Sequence, residues 1–187
     1  MKAFLHSLGI LTAEELNRID PYLSYKTLRK GDLLIREGKI CREVVFIRNG
    51  ILRSYYNSPE GDEMTYCLTF QQSLMTALSS LITGEPTREN IQALTDVELE
   101  VISKQDLESL YETGANWTKV GKLLIEQQYV ELEKRIFSFQ QEKAKERYTD
   151  LIAHHPEYTR QIPLGYLASF LGITPRHLSR LRKEISG

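Results

Sequence analysis

Residues 160–183 read RQIPLGYLASFLGITPRHLSRLRK, and the architecture is decided by how this stretch divides. Leu164, Leu167, Ala168 and Leu171 recur at i, i+3, i+4 and i+7, which lays one apolar stripe along a short helix. Pro163 suits its first residue, where a missing N–H costs nothing. Gly172 breaks that helix and Ile173 plugs the corner. Thr174-Pro175 then starts a second helix, with Thr174 as N-cap acceptor and Pro175 with φ pre-set for the first turn. Along it Leu178, Leu181 and Ile185 point inward. Arg176, Arg180 and Lys183 repeat the spacing on the opposite side, flanked by His177 and Ser179. Ala168 fits a site where the two helices approach closely. The stretch holds five basic residues, Arg160, Arg176, Arg180, Arg182 and Lys183, and no acidic one. Two helices joined by a Gly-containing turn, the second with a basic outer face, make a helix-turn-helix pattern, which points to DNA binding. An ordinary helical hairpin with a solvated face is the plainer alternative, although such a face usually mixes both signs.

Working outward, the charge is uneven. Residues 1–137 carry 16 Lys/Arg against 20 Asp/Glu, and residues 138–187 carry 8 against 5, behind a net charge of −1. An acidic body with a basic end suits a sensor attached to a nucleic-acid reader. The basic patch is small, so phosphate neutralisation is easier for two copies acting together. At 187 residues, 41% hydrophobic and 26% charged, the chain has room for one or two domains with a proper core. No apolar run approaches the roughly 18 residues of a membrane span. MKAFLHSLGILTAEEL (residues 1–16) runs into acidic residues without a small-residue cleavage site, so a signal peptide is not expected. The segment instead reads as a first helix of the fold, with Thr12 and Glu15 forming its capping box. The expected location is the cytoplasm, with no membrane partner.

Cys41 and Cys67 are too few for a disulfide framework or an iron–sulfur cluster and read as small packing residues in a reducing compartment. His154-His155, just before Pro156, sits where a helix C-terminus favours cations. No metal site or cofactor is expected. The chain has no Walker loop, nucleophile elbow, HExxH or paired-carboxylate motif, so nothing in it argues for an enzyme.

Residues 25–103 read as β-structure. Asp32–Arg36, Glu43–Arg48, Ile51–Asn57, Glu63–Phe70 and Val97–Ile102 are short and rich in β-branched or aromatic residues, and turn residues separate them. Asn49-Gly50, between Val44–Ile47 and Ile51-Leu52, carries the strongest hairpin signal. Such spacing suggests a roll or barrel. Residues 73–83 break the pattern as a short helix or loop. A long helix is expected over 115–137, with Ile125, Tyr129, Leu132, Ile136 and Phe139 on one stripe and Val120, Leu123, Val130 and Phe137 on another. One face is expected to cover the β-domain. The other needs the same helix from a second subunit, or else burial against further parts of its own chain.

The order of these elements resembles the Crp–Fnr family of bacterial transcription regulators. KGDLLIREGKICREVVFIRNGILR (residues 30–53) resembles the glycine-spaced core of cyclic-nucleotide-binding domains, and LASFLGITPRHLSRLRK (residues 167–183) resembles the family's reader. The resemblance implies an α+β chain. It comprises an N-terminal double-stranded β-roll of the jelly-roll kind (residues 1–114), a long dimerisation helix (115–138) and a C-terminal helix-turn-helix domain (139–187). It also implies a homodimeric DNA-binding transcription regulator, acting on an imperfect palindrome of double-stranded DNA, with a small-molecule effector and RNA polymerase as further candidate partners. A ligand-binding or protein-interaction module without working DNA recognition is the alternative. Thr174, Arg176, His177, Ser179 and Arg180 then face the major groove, and Lys183 meets phosphate. The chain stops at Gly187, without the C-terminal hairpin of many relatives, so backbone contacts from such a wing are not assumed.

The phosphate-binding cassette departs from the family pattern. Where cyclic-AMP binders have a Gly-Glu pair, this chain has Met75-Thr76-Ala77-Leu78, with no carboxylate for a ribose hydroxyl. Where they have Arg-Ser/Thr-Ala it has Arg88-Glu89-Asn90, which sets a carboxylate beside the cation and opposes anion binding. The cysteine cluster of the oxygen-sensing branch is absent. The expected ligand site is therefore a pocket between the strands and residues 73–90. Its polar groups are Thr76, Arg88, Glu89 and Asn90, Ala77 stands beside them, and Leu74, Leu78 and Leu81 form the walls. It suits a small zwitterionic or uncharged ligand, or none, better than cyclic AMP.

Overall fold

The computed structural model describes residues 1–186; Gly187, the last residue of the expected reader domain, lies outside them. The chain forms two compact units, residues 1–54 with 68–127 and residues 55–67 with 128–187.

Eight strands run through the described residues: β1 (Ser24–Leu28), β2 (Leu33–Ile35), β3 (Glu43–Asn49), β4 (Leu52–Asn57), β5 (Glu63–Thr69), β6 (Leu74–Met75), β7 (Asn90–Ala93) and β8 (Val97–Ser103). They make two four-stranded sheets, in the orders β1-β8-β3-β6 and β2-β7-β4-β5. The far ends of β4 and β5 belong to the second unit. β8 shows why the residues choose this arrangement. Val97, Leu99 and Val101 alternate with Glu98 and Glu100, so one face is buried and the other looks outward. Val45, Ile47, Leu52, Ile91 and Leu99 are fully buried in the roll. Each such side chain contributes about 1.5–3 kcal/mol relative to exposure.

The roll expected from the sequence is present, with one correction to its connections. Asn49-Gly50 does not close a hairpin, because β3 pairs with β8 and β6 while β4 lies in the other sheet. The dipeptide carries the chain across from one sheet to the other. Gly50 has φ +98°, and a Cβ there would stand 2.5 Å from the Asp96 carbonyl oxygen. The chain can cross only where the backbone of the β7–β8 turn can come this close. The hairpin that does form joins β4 to β5, where the Ser58 N–H donates to the Asp62 carbonyl (2.8 Å) and the Gly61 N–H to the Ser58 carbonyl (2.9 Å).

Helices cover the outer face of the first sheet. Leu5 of α1 (Lys2–Ser7), Leu16 of α2 (Ala13–Asn17), Leu110 of α4 (Lys104–Glu112) and Trp117 and Val120 of α5 (Ala115–Gln141) pack with Phe46 and Ile102. The capping box forms as expected but opens the second helix. The Thr12 N–H donates to Glu15 Oε2 (2.9 Å), and the Glu15 N–H donates to Thr12 Oγ1 (3.2 Å). The Thr12 N–H on the carboxylate, followed by the bonds from Asn116, lowers the pKa of the Glu15 carboxyl. In the 73–83 segment, strand β6 is followed by the short helix α3 (Leu78–Thr83).

α5 runs 27 residues, about 40 Å at 1.5 Å per residue. Only its beginning is covered. Ile125, Tyr129, Val130, Leu132, Ile136, Phe137 and Phe139 are all between 41% and 64% exposed. The expectation that one stripe covers the β-domain therefore holds only as far as Val120 and the partly buried Leu124; beyond them both stripes are open. No helix among the described residues is long and apolar enough to cross a membrane.

The second unit continues with α6 (Ala144–His154), α7 (Pro156–Gln161), α8 (Leu164–Phe170) and α9 (Pro175–Ser186). Leu167, Ala168, Leu171, Leu178 and Leu181 are buried in this unit, and fully buried Ala168 fits the close approach expected there. Pro163 stands one position earlier than expected, as the N-cap of α8. Its carbonyl accepts the Leu167 N–H.

Candidate functional site

The turn between α8 and α9 is built by backbone bonds. The Ile173 N–H reaches back to the Ala168 carbonyl and the Gly172 N–H to the Ser169 carbonyl, both at 3.0 Å. This six-to-one, five-to-two closure needs a left-handed residue, and Gly172 supplies it with φ +69°. Thr174 then caps α9, its Oγ1 accepting the His177 N–H at 3.2 Å.

Two side chains remote in sequence grip the same turn. Arg135 of α5 donates from Nη2 to the Phe170 carbonyl (2.9 Å) and lies 4.2 Å from the Phe170 ring and 4.8 Å from the Phe139 ring. Burial lowers its guanidinium pKa, but from so high a value that it stays charged. Arg147 of α6 donates from Nη2 to the Leu171 carbonyl (3.1 Å) and faces Phe139 at 4.8 Å. Two cations thus meet the unsatisfied carbonyls at the end of α8. Ser169 ties α8 to the β4–β5 hairpin, its Oγ accepting the Thr65 N–H (2.8 Å) and donating to the Glu63 carbonyl (3.1 Å).

The outward side of α9 carries Arg176, Arg180 and Lys183, all exposed, with Thr174 exposed at its start and His177 and Ser179 half-buried. Leu178 and Leu181 occupy the buried side. Arg182 is half-buried, with Nε and Nη2 out of water and unpartnered among the described residues, so it is not part of the outer face. A carboxylate just past the basic stretch tempers that face. Glu184 comes within 3.9 Å of Arg180 Nε and of Lys145 Nζ. With the Arg180 side chain 69% exposed and the Glu184 side chain 46% exposed, such a pair is worth about 0–1 kcal/mol and leaves both cations available to a stronger anion. Lys145 is a cation of this neighbourhood that the helical pattern of residues 160–183 could not indicate.

The roll has an open cavity of about 810 Å³. Of the residues expected at a ligand site, Thr76 and Ala77 line it. The Thr76 hydroxyl donates to the Glu43 carbonyl (2.9 Å), and Ala77 is fully buried. Arg88, Glu89 and Asn90 lie outside the lining: Arg88 is exposed, Glu89 is half-buried with its N–H on Thr87 Oγ1, and Asn90 is buried with Oδ1 accepting the Glu37 N–H. Leu74, Leu78 and Leu81 are also outside it. The lining instead includes Arg36, at the end of an expected strand segment, Lys39, in an expected turn, the expected packing residue Cys41, and Arg42, which carries no signal in the sequence.

Residues 25–113 match the cyclic nucleotide-binding domain family, over the span that holds both sheets of the roll. The β-roll is similar to that domain family. The whole chain has the Crp/Fnr fold. FixK2 from Bradyrhizobium japonicum superimposes with a TM-score of 0.77 at 15% identity, over 88% of this chain and 84% of its own. A putative transcriptional regulator of the crp/fnr family from Eubacterium rectale gives 0.76 at 16% identity, over 98% and 88%. The c-di-GMP responsive global regulator CLP of Xanthomonas campestris gives 0.70 at 12% identity, over 94% and 92%. At these identities the likeness is one of fold. No curated protein matches the chain in sequence.

Proposed function

We propose that the chain is a homodimeric, cytoplasmic, DNA-binding transcription regulator. Residues 1–114 serve as sensor, 115–138 as dimerisation helix and 139–187 as reader. The observation that carries this reading is the division of α9. A capped helix buries Leu178 and Leu181 and turns Arg176, Arg180 and Lys183 to solvent on the other side. Its turn is fixed by Gly172, Arg135 and Arg147, so α8 and α9 are pre-set as a helix-turn-helix. The likeness in fold to a crp/fnr regulator and to CLP, itself a global regulator, supports the same conclusion. Dimerisation explains the two open stripes of α5, where seven large apolar residues otherwise face water. The sensor has lost cyclic-AMP binding, because Met75-Thr76-Ala77-Leu78 holds no carboxylate for a ribose hydroxyl.

Arg180 is the residue whose loss tests the reading. Arg reads guanine O6 and N7 with two bonds, so Arg180→Ala costs about 1–3 kcal/mol on the preferred site and relaxes specificity there. Fluorescence anisotropy at fixed salt measures both effects. Unchanged affinity and specificity would instead favour a module that does not read DNA through α9.

A further inference from the structure

We propose that the open cavity of the β-roll binds an organic anion with an apolar body, the anionic end held by Arg36, Lys39 and Arg42. This deepens the sensor part of the proposed function and uses residues outside the expected cassette. The apolar half of the argument is the floor. Cys41, Ala77 and Ile91 are 5%, 0% and 0% exposed and line the cavity together with Leu34. The polar atoms beside them are already engaged. Thr76 Oγ1 donates to the Glu43 carbonyl (2.9 Å), and the Cys41 N–H donates to Ser80 Oγ (2.9 Å). A ligand reaching the floor finds no free hydrogen-bonding side chain among these groups, so the part that enters is apolar.

The rim supplies the sign of the other end. Arg36, Lys39 and Arg42 are exposed, and none makes an ion pair among the described residues. The two carboxylates on the same lining are both occupied. Asp32 Oδ2 accepts the Arg29 N–H (2.9 Å), and Glu43 is paired with Lys26 at 2.5 Å. Three unpaired cations beside two engaged carboxylates leave the rim net positive, and an anion there replaces water on groups that have no protein partner. At about 810 Å³ the cavity has the size of small-molecule sites.

Calorimetry on the full chain without DNA separates the elements of this ligand, so a failure of DNA recognition leaves the result untouched. The probes are decanoate, which has both parts, decan-1-ol, which lacks the charge, and inorganic phosphate, which lacks the apolar body. Decanoate is expected to bind at micromolar concentration, and each of the other two at least about tenfold more weakly. An Arg36→Gln/Lys39→Gln/Arg42→Gln variant, altered only at exposed positions, is expected to bind decanoate no better than decanol and to keep its decanol affinity. Absence of decanoate binding, equal binding of decanol, or full decanoate affinity in the triple variant would overturn the assignment. Cyclic AMP binding at micromolar concentration would overturn it as well, because the floor would then accept a ribose.

Discussion

Replacing Gly172 with alanine should loosen the second unit in a way that can be worked out from the turn. The residue sits at φ +69°, where an L side chain costs about 1–2 kcal/mol. The added Cβ would also stand 2.6 Å from Phe139 Cε1, too close to be tolerated. The ring is 41% exposed and free to slip outward, but doing so gives up its contacts with Arg135 and Arg147, each now at 4.8 Å. Cation–π contacts at exposed sites are worth about 0.5–1 kcal/mol each. The total is about 2–4 kcal/mol, which corresponds to roughly 30- to 900-fold faster hydrogen exchange for the protected amides of α8 and α9. Two further variants divide the loss. Gly172→Asn, which tolerates the left-handed backbone, retains mainly the clash. Gly172→Ala introduced into Phe139→Ala, compared with Phe139→Ala alone, retains mainly the backbone cost. Exchange in Gly172→Ala within about twofold of the parent would refute both the left-handed turn and the ring contact behind it.

The same unit should weaken in alkali. Burial, with Cys67 and Glu157 adding to it, raises the Tyr158 phenol pKa, so the folded chain keeps a proton that the unfolded chain releases above about pH 10. The unfolded state then binds fewer protons and stability falls as the pH rises past that point. Tyr158→Phe should flatten the fall in urea midpoint between about pH 9 and pH 11, and an unchanged slope would show that the phenol titrates in water. On the open stripe of α5, Val130→Glu should turn a micromolar dimer into a monomer in sedimentation equilibrium; a variant that stays dimeric would move the interface elsewhere.

The local signals in the sequence located most of the framework. Thr174-Pro175, Gly172 and the i, i+3, i+4 leucines fixed the two last helices to within a residue, because caps and periodicity depend only on near neighbours. The β-branched content of Val97–Ile102 identified β8 for the same reason. Asn49-Gly50 misled because apolar runs on both sides suit a hairpin and a crossing between sheets equally well. The distinguishing fact is burial of Leu52–Tyr55 on both faces, which only the packed roll reveals. β7 was hidden as Asn90–Ala93, four residues following a charged segment. Ser169, Arg135 and Arg147 carry no local signature at all. Their backbone hydrogen-bond partners lie from 24 to 106 residues away, except for the Arg147 bond to the Glu142 carbonyl, and no periodicity connects them. The cavity was half legible: Thr76 and Ala77 line it, whereas Arg36 reads as the end of a strand, Lys39 as a turn residue, and Arg42 carries no signal.

The most direct test of the reader is to sequence the DNA that the full chain retains from a random duplex pool. Two α9 helices related by a dimer axis should enrich an imperfect palindrome whose half-site centres lie about 10–10.5 base pairs apart, and Arg180→Ala should lose the enrichment at one position in each half. A retained pool without sequence enrichment, or one enriched in a single undivided half-site, would contradict the account.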